Sequence, residues 1–294
     1  MTSISLPKIK RQTSILVLGT AQDGGVPQTG CILKCCQDLK ENKRLQRLVS
    51  SLAIIKDQKC WIVDITPDFR LQLDKINEFT GKNIDISGIF ITHAHLGHYI
   101  GLLQLGLEVM NTNSIPTYVM PKMKIFLENN APFSQLIKLN NIKLIEIKNN
   151  NQINLTNEIN IIPFEVPHRN EFSETVGYKI KNQNKSLIYI PDIDSWEKWE
   201  SDIISIIYEN DYLLLDGTFY SNSELSNRNI ADVPHPLIKE TIKKISKLNY
   251  EEKSKIYFTH INHTNPILDK RSKEFLDFTK SGCKIAEDYM FFNL

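Results

Sequence analysis

Apolar residues along the chain gather in short runs bounded by turn-forming residues, the pattern of short buried strands. SILVLG at 14–19 reads as one such strand, and the loop behind it, TAQDGGVPQTGC, is rich in turn formers. SSLAIIKDQKCWIVDITP at 50–67 reads as two strands joined by a hairpin at 56–59. ISGIFITHAH at 86–95 reads as a strand that ends directly on histidines. TYVM, KLIEI, INIIPFEVPH, VGYKI, SLIYIPD and DYLLLDGT follow as further short strands. Helical spacing predicts helices over 68–79, 101–110, 132–139, 196–208 and 235–248.

Strands and helices alternate over the whole length with no Pro/Gly/Ser-rich linker. This predicts one α/β domain over 1–294, its sheets covered by helices. Several strands end in a potential metal ligand or acid: Asp64, His93, His168, Asp192, Asp216 and His260. Strand ends that converge on one edge are where α/β folds build their sites, because the scaffold fixes side-chain direction there.

Composition narrows the partners. The 294 residues are 41% hydrophobic and 23% charged with a formal net charge of +1, which argues against a nucleic-acid-binding tail or a basic membrane-surface protein. No stretch reaches the roughly 18–20 apolar residues of a bilayer span. The start, MTSISLPKIKRQTSILVLGTAQ, has no apolar segment with a cleavage site behind it, so no signal peptide is read. Five cysteines, three of them clustered, do not form the even framework of a secreted disulfide protein. A cytoplasmic protein with a small-molecule substrate is expected. A homodimer is compatible with the sequence.

The chemistry is concentrated in THAHLGH at 92–98, which holds three of the seven histidines. An H-x-H pair at a strand-to-loop junction can aim both imidazoles to one side, and a histidine on the next turn closes toward them. Neutral imidazole is the commonest metal ligand, and zinc or iron accepts several together with a carboxylate. The bland alternative is a set of exposed or helix-capping histidines.

THAHLGH resembles the H-x-H-x-D-H signature of the metallo-β-lactamase superfamily at every position but one, with Gly97 where the aspartate belongs. The likeness runs through CWIVDITP, FEVPH, SLIYIPDID and IYFTHINH in the family's order. A narrower likeness, to the pyrroloquinoline quinone biosynthesis protein B group, rests on LGTAQDGGVPQTGC, PDFR at 67–70, DGTF at 216–219 and THINHTNPIL at 259–268. The resemblance implies an αββα sandwich of mixed sheets covered by helices. It implies one metal on His93, His95 and His168, and a second on His98, Asp192 and His260, with Asp192 bridging. It also implies Asp64 as the support of a ligand histidine, and His235 as a donor beside the scissile group. Asp194 is a further acid near the same edge. Zinc is the expected ion, one or two at the centre, with manganese or iron as alternatives. A metal-activated hydroxide would then attack a phosphodiester or a small ester-like metabolite.

Gly97 departs from this pattern. Either one tight metal suffices, or Asp194 substitutes, or the chemistry is not ordinary hydrolysis. On the view that a ligand is simply absent, Gly97→Asp is expected to restore it. Two rivals to the hydrolase stand beside it: an iron-dependent oxidative step in quinone-cofactor biosynthesis, and a non-catalytic carrier with a degenerate site. A helix starting at PHPLIKE is expected to bring partial positive charge near His235. Relatives carry C-x-C-x-x-C in the first loop with a histidine as a structural zinc site. Cys31, Cys36 and His263 match that pattern, and Cys35 is the substitute for the cysteine replaced by Leu33. The alternative is ordinary loop thiols. Cys60 and Cys283 read as buried apolar residues.

Overall fold

The computed structural model describes residues 13–42, 45–81, 83–225 and 235–294. The first twelve residues, on which the signal-peptide reading partly rests, lie outside them. Strands are labelled in chain order: β1 (Ser14–Gly19), β2 (Ser51–Lys56), β3 (Lys59–Val63), β4 (Asp85–Phe90), β5 (Ile115–Val119), β6 (Ile142–Glu146), β7 (Ile153–Asn154), β8 (Asn160–Glu165), β9 (Val176–Lys181), β10 (Ser186–Ile190), β11 (Tyr212–Asp216), β12 (Ile256–Thr259), β13 (Lys284–Ile285) and β14 (Phe291–Asn293).

They form two seven-stranded sheets, in the orders β14-β1-β2-β3-β4-β5-β6 and β13-β12-β11-β10-β9-β8-β7. Both are mixed. β14, β1, β2 and β3 pair antiparallel and β3 to β6 parallel; β7 to β10 pair antiparallel and β10 to β13 parallel.

The period-two alternation of strand side chains sorts the core into three layers. Ile15, Val17, Leu52, Ile54, Trp61 and Val63 face the second sheet and meet Ile161, Tyr178, Ile180, Leu187, Tyr189 and Leu214. Their neighbours Leu16, Leu18, Ala53, Ile55 and Ile62 turn the other way, onto Phe69, Ile76, Met123, Leu127 and Phe133 of the outer helices. Ile188, Ile190, Leu213, Leu215 and Phe258 do the same on the far side, against Ile203, Ile207, Ile238 and Phe278. The sequence of layers is helix, sheet, sheet, helix, as expected.

Three helices differ in extent from the spacing. Over 101–110 the chain forms a 3₁₀ helix, Ile100–Leu105, followed by turns, because Gly101 lies against the Ile65 and Thr66 carbonyls and holds the backbone tight. Only Ile203–Tyr208 of 196–208 is helical, started by the Asp202 cap, while Trp196 and Trp199 pack from turns before it. The last runs Ile238–Lys244, so His235 stands ahead of the helix. Helices Lys34–Glu41, Pro121–Asn129 and Lys273–Thr279 were not read from the spacing.

The two sheets are tied close to the histidine motif. The buried Tyr178 hydroxyl donates to the Ile91 carbonyl at 2.7 Å, two residues before His93. Tyr178→Phe should cost about 1–2 kcal/mol, the penalty of leaving a buried carbonyl without its donor. A lower urea midpoint at unchanged slope would report it. An unchanged midpoint would show that the bond adds nothing.

Candidate metal centre

Every group at the centre follows a strand's carboxyl end. Asp23 lies in the loop after β1, Asp64 directly after β3, and His93, His95 and His98 after β4. His168 follows β8, Asp192 and Asp194 follow β10, Asp216 ends β11, and His260 follows β12. Asp64 and His260 both hold a left-handed backbone, with φ of 64° and 58°. Such strain in a residue with a side chain costs of order 1–3 kcal/mol and persists only where packing and bonding over-determine it.

Two clusters of ligand-type atoms share one wall. His93, His95 and His168 bring their ring nitrogens within 4.8 Å of one another, with His93 Nε2 2.8 Å from His95 Nδ1. On the other side, His98 Nε2 lies 3.1 Å and His260 Nε2 3.4 Å from Asp192 Oδ2. Asp192 also stands 4.0 Å from His93 and 3.7 Å from His168, so it faces both groups.

Two buried aspartates orient the imidazoles, each by the same device. Asp64 Oδ2 accepts from His98 Nδ1 at 2.7 Å, and from the Thr92 hydroxyl at 3.0 Å. That hydroxyl, having spent its proton, accepts from His93 Nδ1 at 2.9 Å. Asp216 Oδ2 accepts from His235 Nδ1 at 2.7 Å, and its Oδ1 from the Thr218 hydroxyl at 2.8 Å. The hydroxyl in turn accepts from His260 Nδ1 at 2.9 Å. With Nδ1 committed as donor, Nε2 of His93, His98 and His260 presents a lone pair to the centre. Supporting carboxylates of this kind fix the tautomer and aim of metal-binding histidines.

The charges suit a cation. Burial works against charge on Asp192, but His260 and His98 outweigh it and hold the carboxyl well below its usual range. Burial likewise opposes a proton on His98, yet with no ion bound Asp64 and Asp192 raise the imidazole well above its ordinary value, and an ion at Nε2 would take that proton's place. Burial pushes His95 down to about 4. Asp23 Oδ1, His98 Nε2, both nitrogens of His168, Asp192 Oδ2 and His260 Nε2 are buried and lack a hydrogen-bond partner. An unsatisfied buried polar group costs about 1–3 kcal/mol, and a cation at these atoms would satisfy the set. Imidazole nitrogens with carboxylate oxygens form a donor set that zinc, manganese and iron all accept.

The structure refines the sequence reading at several points. Asp194 does not fill in for the motif aspartate: its Oδ1 lies 3.3 Å from His168 Nδ1 and its Oδ2 3.2 Å from Lys198, on the outer side of His168. Asp23, which no motif singled out, is the acid at the second cluster, with Oδ1 3.4 Å from His98 Nε2 and 3.8 Å from His260 Nε2. Gly97 is not an empty position, because a Cβ built there would collide with the Asp23 carboxylate and lie 2.9 Å from its Cα. The expectation that Gly97→Asp simply restores a ligand therefore fails on space. The helix expected near His235 begins at Ile238, three residues on. The His235 ring is fixed by Asp216 and lies 3.8 Å from Asp192.

A third cluster stands apart. Cys31, Cys35, Cys36 and His263 bring four ligand atoms within 4.8 Å, with His263 Nδ1 3.3 Å from the Cys36 sulfur and 3.5 Å from that of Cys35. Leu33 points outward, 57% exposed, and Cys35 takes its place. Cys60 and Cys283 are buried in the core, as read.

Known proteins share this fold. The family model described as the beta-lactamase superfamily domain matches residues 61–261, from β3 to just past His260. Coenzyme PQQ synthesis protein B of Acinetobacter baumannii (strain ACICU) is 26% identical over 94% of this chain and 98% of its own length. The Zn(2+)-bound PqqB of Methylobacterium extorquens superposes with a TM-score of 0.80 at 23% identity, over 96% of this chain and all of that one. A diphosphatase of the PhnP family follows at a TM-score of 0.68 and 22% identity, over 96% of this chain and 97% of the other. In fold, in the order of its strand-end groups and in the segment matched, the chain belongs to the beta-lactamase superfamily.

Proposed function

We propose that the chain is a metal-dependent hydrolase of a phosphodiester or other small ester-like metabolite. The observation that carries this is Asp192 standing within 4.0 Å of His93 and His168 on one side and of His98 and His260 on the other, with buried ligand atoms otherwise unsatisfied. His93, His95 and His168 would hold one divalent ion, and His98, Asp192 and His260 a second, with Asp192 between them. Ions bound there would supply Lewis-acid activation of water and a clamp on the attacked group.

The chain's own residues do the rest. Asp64 and Asp216 aim the imidazoles through Thr92 and Thr218. His235, fixed by Asp216 through Nδ1, keeps its other ring nitrogen for the substrate. A cavity of about 500 Å³ opens beside His235 and Asp194, walled by Trp196, Lys243 and Lys244. That volume suits a small metabolite; the lysines share the lining with Asp194, Glu197 and Glu240, and Lys244 is paired with Glu197 at 3.1 Å, so the wall carries both signs of charge. Among the described residues no helix is long and apolar enough to cross a membrane. None of the five cysteines is in a disulfide, which fits the cytoplasmic setting we propose.

The relatives named for coenzyme PQQ synthesis favour a second reading, a step in making a quinone cofactor; the sequence resemblance suggests that such a step would be oxidative and iron-dependent. Metal analysis of protein purified without added metal, followed by assays on bis(p-nitrophenyl) phosphate and of oxygen uptake, separates the two. Zinc or manganese with phosphodiester turnover supports the hydrolase; iron with oxygen consumption overturns it. Metal without turnover across ester substrates also overturns it, in favour of a binding protein.

Thr218→Val tests the aiming device. It keeps the side-chain shape but removes the hydroxyl between Asp216 and His260. Affinity at the second ion should fall by about 10–100-fold, the usual effect of losing an orienting partner. Competition with a chromophoric chelator measures it. Unchanged affinity would mean that His260 needs no such orientation.

A further inference from the structure

We propose that Asp23 is the carboxylate ligand of the second ion, delivered by the loop after β1 into the space that the motif's own aspartate would fill. The inference rests on the metal-centre reading above and extends it to a residue outside the histidine motif.

Three observations carry it. Asp23 Oδ1 is buried and without a hydrogen-bond partner, although the side chain as a whole is 38% exposed. It faces two other buried atoms in the same condition, His98 Nε2 at 3.4 Å and His260 Nε2 at 3.8 Å. Together with Asp192 Oδ2 they make a set of two nitrogens and two oxygens, enough for a closed four-coordinate ion. Gly97 then has a steric reason. Its φ is not in the left-handed region, so the backbone there would accept other residues. A side chain is excluded because Asp23 occupies its place.

The loop is held for this task. The Gln22 amide donates to the Ile261 carbonyl at 3.1 Å, and the Ile261 amide to the Thr20 carbonyl at 2.8 Å. Asn262 also bonds the Gln22 side chain. The segment before Asp23 is thus laced to the segment that carries His260, and the two groups reach the same spot from paired backbones. Asp194, the other acid near this edge, lies on the outer side of His168, with Oδ1 3.3 Å from His168 Nδ1 and Oδ2 3.2 Å from Lys198, and among the described residues it joins neither group of ligand-type atoms.

Exchange of the carboxylate between the two positions tests the proposal, with Mn(II) as the probe because it favours oxygen and nitrogen over the thiolate cluster. Stoichiometry and affinity are read by titration, and pairing of the ions by electron paramagnetic resonance. The full-length wild type should take two interacting ions. Asp23→Ala and the isosteric Asp23→Asn should keep the ion at His93, His95 and His168, and bind the second at least about 10-fold more weakly. Gly97→Asp alone should also weaken the second ion, because the two side chains collide. The double variant Asp23→Gly/Gly97→Asp should recover part of the loss, with the run of three glycines at 23–25 letting the loop give way. Wild-type affinity for the second ion in folded Asp23→Asn, or a double variant no better than Gly97→Asp, overturns the proposal. So does a wild type that takes only one ion. A wild type that takes none overturns the metal-centre reading itself.

Discussion

Asp192→Ala should strip metal from both halves of the centre at once. No other described side chain faces both clusters so closely: Asp192 stands within 4.0 Å of His93, His98, His168 and His260. Its loss would remove the oxygen proposed to lie between the two ions and also the negative charge that offsets the surrounding imidazoles. The expected fall in affinity exceeds the ~10–100-fold that loss of a supporting partner costs, because a direct ligand goes. Elemental analysis after dialysis against a weak chelator should find the active-centre ions gone and the metal at the cysteine cluster retained. By contrast, His93→Ala or His168→Ala should first empty the site they share with His95. If Asp192→Ala kept wild-type stoichiometry at the centre, the bridging role would be wrong.

Cys36→Ser and His263→Ala should each release a different metal and lower the melting temperature without emptying the centre. Cys36 is fully buried and its sulfur lies 3.3 Å from His263 Nδ1, so the pair joins the first loop to the segment after β12. An ion held at ~100–1,000 times its dissociation constant stabilises a fold by about 3–4 kcal/mol. In a chain of this size that lowers the melting temperature by roughly 5–10 °C when lost. Scanning calorimetry with and without zinc measures it. Equal melting and equal metal content in both variants would leave four groups that merely sit together. Cys60→Ser serves as the contrast, since it alters a buried thiol far from any ligand and should leave the metal content alone.

Much of the architecture was legible because it is written locally. Short apolar runs alternate strictly enough that Ile15 and Leu16 declare opposite faces, and the acids and histidines that close those runs fall at strand ends by construction. The histidine motif is compact, so one loop states its chemistry. Helix extents were less legible, since Trp196 and Trp199 are apolar at helical spacing yet pack from turns. Lys34–Glu41 was hidden for the opposite reason, a short polar helix with almost no buried face. Asp23 was illegible for a deeper one. Its loop reads as turn formers, and nothing local says that β1 lays that loop against the segment after β12. A signal was present all the same. A glycine where a ligand is expected announces that something else fills the volume, and the first loop holds an acid between its turn residues.

The shared volume of Gly97 and Asp23 has a consequence for how such chains change over generations. A side chain gained at 97 collides with the resident acid, whereas losing that acid first leaves the second cluster with one carboxylate fewer. Both single steps should be penalised, so changes at the two positions are expected to come together. A lineage passes between the two arrangements only through an intermediate bare at both positions. Column by column, such a protein would be scored as a decayed member of its superfamily. Scored as a pair, and with Asp23 in the ligand role proposed for it, it would have kept its count of acids and moved one of them to another loop.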